Sequence, residues 1–202
     1  MKRRWLTLLL VSAASVLTAL HLTGSGRWIE RWLGCTRDGI AGAELWRLLS
    51  GPLVHASVGH ALRDLVTLAL LGLVWEGEGG RRYRLALLLG AALPPLAAFA
   101  TRPTLRLYLG LSGAVYAALV AGLIWQWRRG PRLVVALGLV AVVVKVVVEV
   151  ATGELLLPVG HPSGVAPVPM AHLAGLIGGA SVTLWWREEP ARRRFDRSTP
   201  PF

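Results

Sequence analysis

The chain has 202 residues, of which 54% are hydrophobic and only 16% charged, against about a quarter charged in an ordinary soluble domain. Its formal net charge of +11 raises nucleic acid as a partner, but the basic residues are placed as a membrane-topology signal, and nucleic acid is set aside. Cys35 is the only cysteine, which excludes an internal disulfide and a cysteine-rich metal site.

Apolar windows of about 16–18 residues, close to the length that crosses a bilayer's hydrocarbon core, recur six times: 6–22, 59–75, 85–100, 111–127, 133–150 and 171–186. Short connections make this an all-α, six-helix membrane bundle over residues 1–186. The tail 187–202 is polar, rich in Arg and Pro, and reads as disordered. No soluble-type repeat is present, and no segment alternates as a strand would.

The first window follows Lys2, Arg3 and Arg4. Such a start is shared by cleaved signal peptides, but no small-x-small site follows at Leu20-His21-Leu22-Thr23, which favours an uncleaved anchor. If the windows alternate across the membrane, fourteen basic residues fall on the side of the N-terminus: Lys2, Arg3, Arg4, Arg81, Arg82, Arg84, Arg128, Arg129, Arg132, Arg187, Arg192, Arg193, Arg194 and Arg197. The other side holds Arg27, Arg31, Arg37, Arg47, Arg102 and Arg106, while Arg63 and Lys145 lie within windows. By the positive-inside rule both termini are cytoplasmic. The long outer loop 23–58 carries Trp28, Trp32 and Trp46, a residue type suited to the membrane–water interface.

Polar groups inside hydrocarbon are costly, so those a span tolerates point to function. The second window is preceded by His55 and carries His60, Arg63 and Asp64. The fourth opens at Gly110-Leu111-Ser112-Gly113, with Tyr116 one turn later. The fifth holds Lys145 and Glu149 in a run of valines, one turn apart as in an intrahelical ion pair. The sixth begins Ala171-His172 and continues through Gly175, Gly178 and Gly179. Windows two, four and six run in the same direction, so His60, Ser112 and His172, each near the start of its window, come to one depth just below the outer surface.

That layer contains the parts of acyl-transfer chemistry. A serine hydroxyl is a weak nucleophile until a neutral histidine accepts its proton. Ser112 stands at a helix N-terminus, where unpaired N–H groups stabilise a developing oxyanion. Gly110 and Gly113 allow a tight turn and close approach of a substrate backbone. His60 and Asp64 share a helix face, and His60 can donate to the same oxyanion. Taken singly, these features have plainer readings: Ser112 and the glycines as small-residue helix packing, His172 and His55 as interfacial residues, Tyr116 as packing. His21 and His161 read as boundary or loop residues.

The ordered set resembles the rhomboid family of intramembrane serine proteases. Trp46-Arg47 is similar to the family's Trp-Arg element, and His55-x4-His60-x3-Asp64 to its His-x4-His-x3-Asn. Gly110-Leu111-Ser112-Gly113 with Tyr116 resembles Gly-x-Ser-Gly, and Ala171-His172-x2-Gly175-x3-Gly179 the sixth-helix Ala-His-x2-Gly-x3-Gly. The resemblance implies a Ser112–His172 dyad with no third acidic member, and an oxyanion hole from the Ser112 N–H and His60 with help from position 64. The structural network around them is read as His55, Trp46, Arg47, Tyr116, Gly175, Gly179, Lys145 and Glu149, with no cofactor and no metal. The substrate would be a transmembrane or C-terminally anchored protein, cleaved near the outer face within membrane lipid. Within the family the chain resembles the rhombosortases, short bacterial members acting on C-terminal Gly-Gly anchor segments. Its length, the Lys145/Glu149 pair and the Ala-His-Leu start of the sixth window support this, and a bacterial inner-membrane location follows.

One departure matters. An ionised Asp64 accepts hydrogen bonds but cannot donate them, unlike asparagine, and it repels an oxyanion. Three arrangements reconcile this: protonation by burial, an offsetting cation such as Arg63, or an oxyanion site built on His60 alone. Besides a plain structural or transport bundle, two other functions stay open at this point. One is a catalytically inactive rhomboid-like protein that binds membrane helices. The other is a metal-dependent membrane protein using His55, His60, Asp64 and His172. The oligomeric state is open as well.

Overall fold

The computed structural model describes residues 5–127, 129–158 and 167–185. The tail 187–202, Trp186, Arg128, His161 and the basic residues 2–4 lie outside them. The helices are α1 Trp5–Leu20, α2 Gly26–Trp32, α3 Arg37–Ala41, α4 Arg47–Ser50, α5 Val58–Thr101, α6 Ser112–Gln126, α7 Arg132–Thr152 and α8 Pro169–Trp185. Among the described residues, three helical stretches are long and apolar enough to cross a membrane: Trp5–Trp32, Val58–Thr101 and Arg132–Thr152. α6 is apolar but has only 15 residues, about 22 Å of rise against a core of about 30 Å.

The second and third windows form one long element that reverses at Gly80, where φ is +54° and ψ −128°. The contacts along α6 show the reversal. Trp75 lies against Gly122, and His60 against Gly110, so residues 58–79 run parallel to α6. In the second half the order is inverted, with Pro94 at Gly113 and Gly90 at Ala117. α8 runs parallel to α6, pairing Gly175 with Gly113 and Gly179 with Ala117. Small residues at these points let the backbones touch, which is how helices gain packing energy where no hydrophobic effect operates between them.

α1 packs antiparallel on the first half of α5, with Thr7 at Gly72 and Thr18 at His55. The fully buried Glu76 accepts hydrogen bonds from the N–H groups of Leu6 (3.0 Å) and Thr7 (2.9 Å). Its carboxylate thereby satisfies donors of the first turn of α1, where a negative charge is also favoured by the helix dipole. α7 is peripheral and buries only Val135, Val142, Val146 and Glu149.

The long loop between α1 and α5 is held by arginines. Arg47, 5% exposed, donates to Gly34 O (2.8 Å) and Arg31 O (2.7 Å) and pairs with Glu44. Arg37 donates to Phe99 O, Arg102 O and Leu105 O, closing the end of α5. A two-residue strand β1 (Cys35–Thr36) pairs antiparallel with β2 (Leu107–Tyr108), a ladder too short to leave an alternating pattern in the sequence. Cys35 is buried, and burial pushes its thiol up to about 12, with Arg47 acting weakly the other way. It stays a protonated, unreactive thiol.

The packing makes two predictions. In Gly179→Ala the added methyl would lie 2.3 Å from Ala117 O, so α6 and α8 must separate, at a cost of about 1–3 kcal/mol. Gly138→Ala meets only a flexible Leu123 side chain at 3.3 Å and leaves stability within about 0.5 kcal/mol. Thermal unfolding in mild detergent compares the two. Glu76→Ala, which strands two buried N–H groups, costs about 1–3 kcal/mol in the same measurement.

Candidate functional site

The site is built where α5, α6 and α8 meet. Ser57 caps α5, its hydroxyl accepting from His60 N at 3.1 Å, which sets His60 in the first turn. At the start of α6, Gly110 has φ +104°, a conformation open chiefly to glycine. A Cβ there would also strike the His60 ring at 2.5 Å. The helical bonds of α6 begin with Val115 N to Leu111 O. The N–H groups of Ser112 and Gly113 therefore precede the helical ladder, as the first N–H groups of any helix do.

His55 braces this turn. It is fully buried, its Nδ1 lies 3.1 Å from Thr18 Oγ1, and the Leu111 N–H points at its Nε2 at 3.4 Å. A neutral ring with its proton on Nδ1 satisfies both contacts, and burial lowers the affinity of His55 for a second proton.

Asp64 is buried, with Arg63 as its charged neighbour. Its Oδ2 lies 3.2 Å from His60 Nε2 and 3.6 Å from His55 Nε2, and its Oδ1 3.3 Å from Arg63 Nε. Of the three arrangements open from the sequence, the offsetting cation is the one with direct geometry. His55, His60 and Asp64 also bring ligand atoms within 4.8 Å of one another. The cluster fits a divalent metal poorly, because the Leu111 N–H takes the His55 Nε2 lone pair and Arg63 adds a positive charge.

Ser112 and His172 line two cavities in common. One, of about 360 Å³, lies on the loop side and includes His60, Tyr108, Ala56 and Leu109. The other, of about 510 Å³, is an apolar cleft between the first half of α5, α6 and α7, walled by residues such as Val115, Leu119 and Val142. Tyr116 lies over the His172 ring, centroids 4.4 Å apart and tilted 32°. Tyr108, whose phenol is kept protonated by burial, neighbours the Ser112 side chain; nothing in the sequence singled it out.

The resemblance implied no acidic partner for His172, yet one is present. Glu149 Oε2 lies 2.8 Å from His172 Nδ1. Lys145 pairs with Glu149 as the four-residue spacing predicts, and it also donates to Tyr116 Oη at 2.6 Å. Gly113, Gly175 and Gly179 are packing contacts between α6 and α8. Arg47 sits in the long loop between α1 and α5, and Trp46 is exposed beside it.

No curated protein shows significant similarity to the chain. Residues 42–188 match the family model described as the Rhomboid domain, a stretch that holds His60, Asp64, Ser112, Glu149 and His172. With most of its length in that match and its helices apolar enough to cross a bilayer, the chain is an integral membrane protein that belongs to the rhomboid family of intramembrane proteases.

Proposed function

We propose that this protein is a serine endopeptidase that cleaves membrane-anchored proteins near the outer membrane face, with Ser112 as nucleophile and His172 as general base. The observation that carries the reading is that Ser112 and His172 line both the loop-side cavity and the apolar cleft. One offers access to water and the other a surface for an apolar substrate segment.

In this reading Ser112 Oγ attacks the scissile carbonyl carbon while His172 accepts the hydroxyl proton. The carbonyl oxygen becomes an oxyanion beside the Ser112 N–H, with His60 as a second donor. The C–N bond then breaks and His172 returns the proton to the leaving amine. Water enters by the loop-side cavity, gives its proton to His172 and hydrolyses the acyl-enzyme. Arg63 beside Asp64 offsets the charge that would otherwise repel the oxyanion.

A helix hides its backbone carbonyls, so the substrate must unwind at the cleaved bond. Glycine is the residue that most lowers that cost short of proline, in keeping with a rhombosortase-like preference for Gly-Gly before a C-terminal anchor. Six spans, with both termini in the cytoplasm of a bacterial inner membrane, agree with the distribution of basic residues and with the reversal at Gly80. An inactive helix-binding protein is the second reading, favoured only by Asp64 in place of asparagine.

Ser112→Ala and His172→Ala are each expected to reduce cleavage of a co-expressed single-span protein bearing a Gly-Gly-preceded anchor by at least about 10³-fold. Unaltered cleavage in either variant rules the pair out. Topology is testable separately, because Cys35 is silent. Leu45→Cys and Arg106→Cys should react with a membrane-impermeant maleimide in intact cells, and Arg132→Cys only after permeabilisation. Labelling of Arg132→Cys in intact cells would reject the six-span alternation.

A further inference from the structure

Glu149 is the most unusual residue of α7. It is fully buried on a helix that otherwise buries only three valines. A carboxylate placed there needs partners, because an unpaired buried charge is strongly unfavourable. Lys145 alone would supply one, yet both carboxylate oxygens are occupied. Oε1 receives Lys145 and the Leu156 N–H at 3.1 Å, and Oε2 faces His172 Nδ1 at 2.8 Å. Lys145 continues to Tyr116 Oη, and the Tyr116 ring lies over His172. His172 is thus gripped at one nitrogen and over one face by a closed set of side chains.

We propose that Glu149 is a positioning residue that holds the His172 proton on Nδ1, leaving Nε2 bare to accept the proton of Ser112. The inference rests on the nucleophile and base assigned above and adds a third, acidic member contributed by α7. The chemistry follows from what each group can do. An ionised carboxylate can only accept, so the 2.8 Å contact requires the His172 proton on Nδ1. When Ser112 gives up its proton, His172 becomes an imidazolium whose Nδ1–H already faces a negative charge. That stabilises the transition state without moving a second proton. Lys145 and the Leu156 N–H hold the carboxylate in place and leave its Oε2 for the ring.

Glu149→Gln tests this, since the amide keeps the shape but can present NH2 in place of an acceptor. The probe is a fluorophosphonate, which Ser112 attacks at phosphorus with loss of fluoride while the hydroxyl proton passes to His172. The full chain in detergent is expected to label, and Ser112→Ala not to. In Glu149→Gln the maximal labelling rate should fall by about 10²–10⁴-fold, with the probe's half-saturating concentration within about threefold of the parent. Nitrogen-15 NMR of labelled histidine should show the parent His172 protonated on Nδ1 with bare Nε2, and this tautomer lost in the variant.

A labelling rate within threefold of the parent overturns the proposal and leaves the Ser112 assignment standing. So does a variant in which affinity and thermal midpoint fall together with rate, since that is a structural loss. Should Glu149→Gln fail to fold, the tautomer of the parent decides, and an Nε2–H ring refutes the role. Labelling that persists in Ser112→Ala removes the nucleophile itself, and this inference with it.

Discussion

The backbone-to-backbone contact between α6 and α8 is the constraint on which the site depends. A methyl on Gly175 would sit 2.2 Å from Gly113 O, and one on Gly179 2.3 Å from Ala117 O. Helices that touch at residues 113 and 175 bring Ser112, one residue earlier on α6, close to His172, one turn earlier on α8. The same contact brings Tyr116, one turn into α6, over the His172 ring. Glycine and alanine are needed because lipid offers no hydrophobic drive for helix association, so close van der Waals contact must supply it.

Around that contact, charge is placed with its partners already fixed. Glu76 meets the first turn of α1, Asp64 meets Arg63 and two imidazoles, and Glu149 meets Lys145 and His172. Loss of one partner from a buried ion pair costs about 3–5 kcal/mol, whereas replacing both by apolar groups is often neutral. Glu76 therefore ties α1 to α5, and Glu149 ties α7 to α8. The long loop between α1 and α5 serves the same end by different means. Arg37 and Arg47 satisfy backbone carbonyls of the loop and of the end of α5, and the short β1–β2 ladder steers the chain into Gly110.

Much of the fold was legible because apolar length and charge placement act locally. The windows at 111–127 and 133–150 match α6 and α7 to within two residues at each end. The windows at 59–75 and 85–100 fall within the two halves of α5, whose first half runs on past Trp75 to include Glu76. That Ser112, His172 and His60 lie around one cavity was also legible, since parallel helices entered at the same end bring early residues to one depth. The role of Glu76 was not, because a carboxylate at a span boundary reads as a solvated charge until a helix start is seen against it.

What the sequence determines by itself is which segments are apolar enough to be helices in lipid, where they begin, and which polar groups they carry, for these follow from spacing along one chain. Which faces meet was decided only by tertiary structure. Lys145 and Glu149 show the difference. Their four-residue spacing predicts the ion pair within α7, and that pair exists. The same carboxylate also reaches a histidine 23 residues away on α8, because the rotation of a helix about its axis is set by its neighbours and leaves no mark in its own periodicity.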